Sequence, residues 1–310
     1  MFRSLVVPLD GSALAERALP YAVALARPRD GRLILMRAGM APAPRTLDGA
    51  ELESDQAQAM AEAESYLLSM AETLRGQVAS VESVALYGRP AGRILETAAR
   101  YNADGIVMAT HGRTGLQHLL YGSVTEAVLA ETTLPVFVVS AQPTAAAPSV
   151  FVPASAKVLV PQDGSDYDAP AVQAALELVG PAGEITLASV IAPPEKVVRD
   201  EMGHVLAYVD QQEEADRTRT RDYLDKIAAD IPIAHKTDIR IGDPTSCICA
   251  AAMESKVDAI VMSTHGRTGL RRAVLGSVAG QVLRMASTPV LLVHPRTPAR
   301  TPAEAVVAGA

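Results

Sequence analysis

The chain has 310 residues, 49% apolar and 20% charged, a balance that fits a folded globular protein and excludes a low-complexity one. Its formal charge is −7; residues 1–140 hold 12 basic and 15 acidic side chains and the remainder 16 and 20, so neither half has the basic surplus a nucleic-acid partner calls for. The opening MFRSLVVPLDGS lacks the apolar stretch of a signal peptide, and no run approaches the ~18 apolar residues of a membrane span, so the expectation is a cytoplasmic protein with no membrane partner.

In chain order, strands are predicted at Ser4–Leu9, Leu33–Arg37, Ser80–Leu86, Gly105–Ala109 and Val136–Val139, then at Val158–Pro161, Glu184–Val190, Ala234–Ile239, Ala259–Ser263 and Val290–Val293. Several are nearly continuous in Val, Ile, Leu and Met, the pattern of strands buried on both faces of a parallel sheet. Between the first five lie Ala- and Leu-rich segments with helical spacing: Ala13–Ala26, Gln56–Leu74, Ala91–Arg100 and Val124–Glu131. Strands alternating with such helices read as right-handed βαβ units.

The chain repeats itself. LVVPLDGS at Leu5–Ser12 returns as VLVPQDGS at Val158–Ser165, and THGRTGL follows both Ala109 and Ser263. The offsets agree: Asp10 to Asp163 is 163 − 10 = 153, and Gly112 to Gly266 is 266 − 112 = 154. A repeat of that length is a whole domain. The expected layout is domain one at 1–141, a Pro- and Ala-rich linker at 142–155, domain two at 156–296 and a disordered tail at 297–310. Gly39–Gly49 and Ala192–Gly203 are the expected mobile flaps beside the second strands.

In an open α/β sheet, ligands bind beyond the carboxyl ends of the strands. Asp10-Gly11-Ser12 and Asp163-Gly164-Ser165 follow the first strand of each half. Gly makes a turn and Ser caps a helix, while the carboxylate is placed to bond a ribose hydroxyl or a metal ion. After the fourth strand come Thr110-His111-Gly112, nine residues, then Gly122-Ser123; domain two gives Thr264-His265-Gly266, nine residues, then Gly276-Ser277. Glycines let backbone amides approach a phosphate, and a helix starting at Ser123 or Ser277 favours an anion. Arg113 and Arg267 are within reach of phosphates or simply solvated, and the histidines read as loop-holding groups. Gly88-Arg89-Pro90 and Gly242-Asp243-Pro244 read as turns into the third helices. Cys247 and Cys249 have no nearby Cys or His partner and make a poor metal site.

On these motifs the chain resembles a tandem universal stress protein of the nucleotide-binding type, over about 140 residues of each half. The resemblance implies two doubly wound α/β domains, each a five-stranded parallel sheet ordered 3-2-1-4-5 with helices on both faces. It implies ATP, with Mg²⁺, as cofactor. It matches Asp10 and Asp163 to the carboxylate beside the nucleotide, and Gly112, Gly122, Ser123, Gly266, Gly276 and Ser277 to the phosphate loop. The adenine contact on the second strand falls on Ala38 and Val190. One motif glycine is replaced in each half, by Ala109 and Ser263. A positive φ there would strain Ala or Ser by about 1 kcal/mol or more.

The resulting expectation is an ATP-binding regulatory protein of the stress response, acting on an unknown regulatory protein partner. Fast turnover is not expected, since there is no P-loop, nucleophile elbow or metal-ligating His pair. The alternatives are a slow ATPase or autophosphorylating protein, and a partner-binding module without nucleotide. Single-domain relatives commonly pair through the last strand. Val136–Val139 and Val290–Val293 can therefore pair within one chain as a pseudo-dimer, with higher homo-oligomers possible.

Overall fold

The structure, a computed structural model, describes residues 1–39, 49–110, 122–140, 151–165, 168–193, 197–199, 205–264 and 275–294; the side chains of 49–52, 197–199 and 205–212 fall outside it. The first half runs β1 (Ser4–Pro8), α1 (Ala13–Glu16), α2 (Ala18–Ala26), β2 (Arg32–Gly39), α3 (Gly49–Leu74), β3 (Ser80–Tyr87), α4 (Pro90–Arg100), β4 (Gly105–Thr110), α5 (Ser123–Glu131) and β5 (Val136–Ser140). The second runs β6 (Lys157–Gln162), α6 (Asp168–Leu178), β7 (Glu184–Ile191), β8 (Val197–Arg199), β9 (Val205–Tyr208), α7 (Val209–Ala228), β10 (Ala234–Ile241), α8 (Pro244–Glu254), β11 (Ala259–Ser263), α9 (Ser277–Met285) and β12 (Val290–Val293).

All ten expected strands form, and they join into one sheet ordered β10-β7-β6-β11-β12-β5-β4-β1-β2-β3. Each half is parallel in the order 3-2-1-4-5. The halves meet where β5 and β12 pair antiparallel, with Phe137 opposite Leu291. Phe137 and Leu291 are equivalent by the repeat, 291 − 137 = 154. A pseudo-two-fold axis therefore passes through that pair.

Side chains alternate across each strand, so the sheet feeds two cores. On one face Leu5, Leu35, Phe137, Val160, Leu187 and Leu291 pack beneath α2, α3, α6 and α7. On the other, Val6, Ile34, Met108, Leu159, Ile260 and Leu292 pack beneath α4, α5, α8 and α9. Both cores draw on both halves. Phe151, only 6% exposed, inserts from the inter-domain segment against Tyr21 and Phe137, with ring centroids 5.7–5.8 Å apart. Such tilted packing suits the aromatic quadrupole.

Three local features differ from the sequence expectation. The helix expected over Ala13–Ala26 is broken at Arg17. Pro20 lacks the N–H that would bond to the Glu16 carbonyl and its ring crowds that carbonyl. The helix expected from Gln56 begins at Gly49. In the expected flap Ala192–Gly203, Val197–Arg199 pairs with Val205–Tyr208 as a small antiparallel sheet; most of the flap Gly39–Gly49 lies outside the described residues. The tail 297–310 also lies outside them, as do 142–150 of the expected linker.

Candidate functional site

The strand tips are shaped by short turns. Gly11 (φ +87°) and Gly164 (φ +81°) lie in the left-handed region, where an L side chain would strain the backbone. Each turn is closed by the preceding carboxylate: Asp10 Oδ1 accepts from Ser12 N at 2.9 Å, and Asp163 Oδ1 from Ser165 N at 3.0 Å. Ser12 also caps α1, its Oγ accepting from Ala15 N at 3.1 Å. Ala109 and Ser263 are the last or next-to-last residues of their strands, and neither has a positive φ, so replacing glycine there brings no backbone strain.

In domain two these tips border a cleft of 770 Å³. It brings together Asp163, Val190, Ser263, Gly276 and Ser277, five of the expected positions. Gly266 and Arg267 lie outside the described residues, as do His111, Gly112, Arg113 and His265. Gly276 N donates to Thr264 O at 2.7 Å, which seats the N-terminus of α9 beside the tip of β11. In domain one Asp10, Ala38, Ala109, Gly122 and Ser123 occupy the same topological places, and Gly122 again precedes the first residue of its helix. Strand register supports equating Ala38 with Val190: Met36 lies opposite Pro8 and Ala188 opposite Pro161.

The cleft has two chemically distinct walls. On the α8/α9 side it is apolar, with Val190, Ile248, Met262, Val278 and Ala279. On the α6/α7 side it is polar, with Gln162, Asp168, Ser189, Thr220, Tyr223 and Ser263. Asp168 is the hub of the polar wall. Its Oδ2 accepts from Tyr223 Oη at 2.6 Å, from Gly164 N at 2.8 Å and from Asp163 N at 3.0 Å. Burial pushes its carboxyl up to about 6; the Asp163 charge adds to the rise, and the hydrogen bonds oppose it. Burial and the Asp168 carboxylate in turn raise the Tyr223 phenol above its ordinary range.

One row of side chains separates the two halves. Gln162 lies opposite Ser189, and Ser263 opposite Val293. Counted three residues on from the last β6–β11 pair, Leu159–Ile260, Gln162 and Ser263 hold corresponding positions beyond the paired stretch. The same extension in domain one, from Pro8–Met36 and Val6–Ile106, aligns Arg37, Leu9 and Ala109. Ser189–Gln162–Ser263 thus replaces Arg37–Leu9–Ala109 on the same face. The Arg37 guanidinium lies over the Asp10 turn: a Cβ built on Gly11 would stand 3.2–3.3 Å from it. It also stacks on the Tyr66 ring, 4.9 Å from the centroid, and Tyr66 Oη donates to Glu16 Oε1 at 2.9 Å.

Sequence reasoning passed over Gln162, Ser189, Asp168 and Tyr223. Aligning LVVPLDGS with VLVPQDGS carries a signal for the first, an amide in an otherwise apolar buried strand. The Asp168–Tyr223 bond joins residues 55 apart and has no local signature. Cys247 and Cys249 are half-buried free thiols, and among the described residues no group of three or more His, Cys, Asp or Glu is arranged to hold a metal.

Comparison with known proteins gives a consistent family. The model of the Universal stress protein family matches residues 1–140 and 155–294. A universal stress protein of Thermus aquaticus is 34% identical over 145 residues, spanning 45% of this chain and 99% of its own length. One from Methanocaldococcus jannaschii is 32% identical over 147 residues, covering 45% and 82%. The crystal structure of a universal stress protein from Archaeoglobus fulgidus superposes over 95% of this chain and 99% of its own, with TM-score 0.70 and 20% identity, a likeness of fold.

Proposed function

Starting from the fact that the chain belongs to the universal stress protein family, we propose that it is a regulatory protein that binds adenine nucleotide, ATP in the first place, at the strand tips of domain two. The observation that carries the reading is the cleft itself: Asp163, Val190, Ser263, Gly276 and Ser277, chosen from sequence motifs, border one cavity of 770 Å³. That volume is within the range of small-molecule sites, roughly 300–1,000 Å³. The apolar wall suits a flat base, and the first amides of α9 with its dipole suit phosphate oxygens. Mg²⁺ would enter as an ion carried on the nucleotide's phosphates, with Asp163 on the border of the cleft as a nearby carboxylate. Binding would bias the surface around the tips, which is how such a module signals.

The test is nucleotide content. The protein is purified without added nucleotide and denatured, released small molecules are identified by mass spectrometry, and stripped protein is titrated with ATP. The expected result is bound ATP with domain two as the tighter site. ADP accumulating on incubation would favour slow hydrolysis. No nucleotide recovered and no binding on titration would overturn the reading and leave a partner-binding module.

A further inference from the structure

The tip of domain one carries a cation that domain two lacks. Arg37, where domain two has Ser189, reaches from β2 over the turn that ends β1. The flat of its guanidinium is covered: Nη1, Cζ and Nη2 all lie 3.2–3.3 Å from where a Cβ on Gly11 would stand, and the Tyr66 ring centroid is 4.9 Å from Cζ. The groups around it are tied to others. Tyr66 Oη donates to Glu16 Oε1 at 2.9 Å, and Asp10 Oδ1 accepts from Ser12 N at 2.9 Å and Ser12 Oγ at 2.6 Å. Arg37 is half-buried, yet among the described residues its guanidinium makes no hydrogen bond and no ion pair.

A guanidinium packed on its flat side keeps its N–H donors at the edge, in a rigid fork that matches two oxygens of one oxyanion. Drawing it partly out of water without acceptors costs free energy that a bound anion restores. Phosphate fits best, because it brings three acceptor oxygens and up to two charges to the one cation. The place is also distinct from the Gly122-Ser123 loop. Side chains alternate along β2, so Arg37 leaves the strand on the face of Leu35, beneath α2 and α3, whereas α5 packs on the other face. We propose that Arg37 makes this tip an anion subsite, which holds a phosphate group of a small-molecule ligand in domain one. The inference goes beyond the nucleotide reading above, which concerns domain two. The phosphate belongs either to a nucleotide or to a free polyphosphate, and the probes below separate these sources.

The experiment titrates the isotope-labelled full-length chain, stripped of nucleotide, with inorganic pyrophosphate, ATP and adenosine in turn. The backbone amide resonances of Gly11 and Gly164 report the two tips separately. In wild type the Gly11 resonance moves saturably with phosphate-bearing probes and stays in place with adenosine. Movement with pyrophosphate and ATP alike assigns a free polyphosphate as sufficient; movement with ATP alone assigns the phosphate of a nucleotide. Arg37→Gln lowers the affinity read at Gly11 about 30-fold, the loss of hydrogen bonds to a charged group. Arg37→Lys keeps the charge without the fork, lowers it only about fivefold, and serves if the first variant fails to fold. Neither variant changes the response of Gly164. No saturable shift of Gly11 with either anion, a shift with adenosine equal to that with ATP, or unchanged affinity in Arg37→Gln would overturn the subsite. Tighter binding in Arg37→Gln would also overturn it and make the guanidinium a plug. The response of Gly164 to ATP tests the nucleotide reading independently, so the two failures are told apart.

Discussion

The two halves share a strand order and a register, and still present different surfaces at the same place. In domain one an arginine from β2 folds over the glycine turn and stacks on Tyr66. In domain two the same position is Ser189, and a polar-walled cleft lies above it. The scaffold is held by residues the repeat has kept: the Asp-Gly-Ser turn, the Gly-Ser start of α5 and of α9, and the apolar strands. Chemistry is set by the last side chains of the strands, where a single exchange changes charge and volume while the strand order stays the same. A duplicated domain therefore diverges first at its strand tips.

The largest expected effect tests whether the halves are one folding unit. Phe137→Ala, at the pseudo-two-fold axis and 0% exposed, lowers unfolding free energy by about 3–5 kcal/mol, and Leu291→Ala by less, since Phe137 is the larger side chain and ring-packs with Tyr21 and Phe151. Denaturant unfolding followed by circular dichroism checks this; equal losses would mean that the aromatic cluster adds nothing. Exchanging the row comes next. Ser189→Arg, the domain-one side chain in the domain-two cleft, lowers ATP affinity by about 100-fold, roughly 2.7 kcal/mol. Arg37→Ser leaves that affinity within about threefold, because it alters a separate site. Calorimetric titration of both variants decides whether the cleft or the family motif alone controls binding.

The third effect is on pH. The Asp168 carboxyl titrates near 6 in the folded protein against an ordinary value of 3.8. Between those values the folded state holds a proton that the unfolded state has lost, so stability falls as pH rises from about 4 to 6 and is unaffected by this group above that range. The loss is on the order of 1–3 kcal/mol. Asp168→Asn removes that slope, which unfolding curves at pH 4, 5, 6 and 7 would reveal; an unchanged slope would place the titration elsewhere. The smallest effect concerns caps. Asp243 Oδ1 accepts from Ser246 N at 2.9 Å at the start of α8, whereas Arg89 offers α4 no side-chain cap. Arg89→Asp raises the thermal midpoint by about 2 °C, and Asp243→Ala shifts it the other way.

Much of the fold was legible because buried parallel strands are written as runs of Val, Ile, Leu and Met, and because the repeat displays every element twice. The joint between β5 and β12 was expected from the family resemblance, whose single-domain members commonly pair through the last strand; its antiparallel sense came from the structure. What escaped was of three kinds. Helix boundaries depend on single groups, such as the missing N–H of Pro20. The β8–β9 pairing joins segments of three and four residues, too short for any periodicity. The row across the strand tips needs a register, which no single strand contains: Ser263 was visible only as a departure from glycine, and Gln162 only as an amide where the repeat has Leu9. The motif marked the site, and the side chains between the motif residues distinguish one half from the other.

The joint at β5 and β12 has a further consequence. Two separate copies meeting through this edge would dissociate on dilution, and the extent of assembly would track the amount of protein made. Here the second edge is always present at the high local concentration set by a short tether, so closure is a property of each molecule. Dosage and assembly are uncoupled. A half that gave up its own ligand would still be retained, because its last strand shields the open edge of its neighbour from stray pairing. The fused architecture thus frees one copy to specialise while the other remains as its permanent escort.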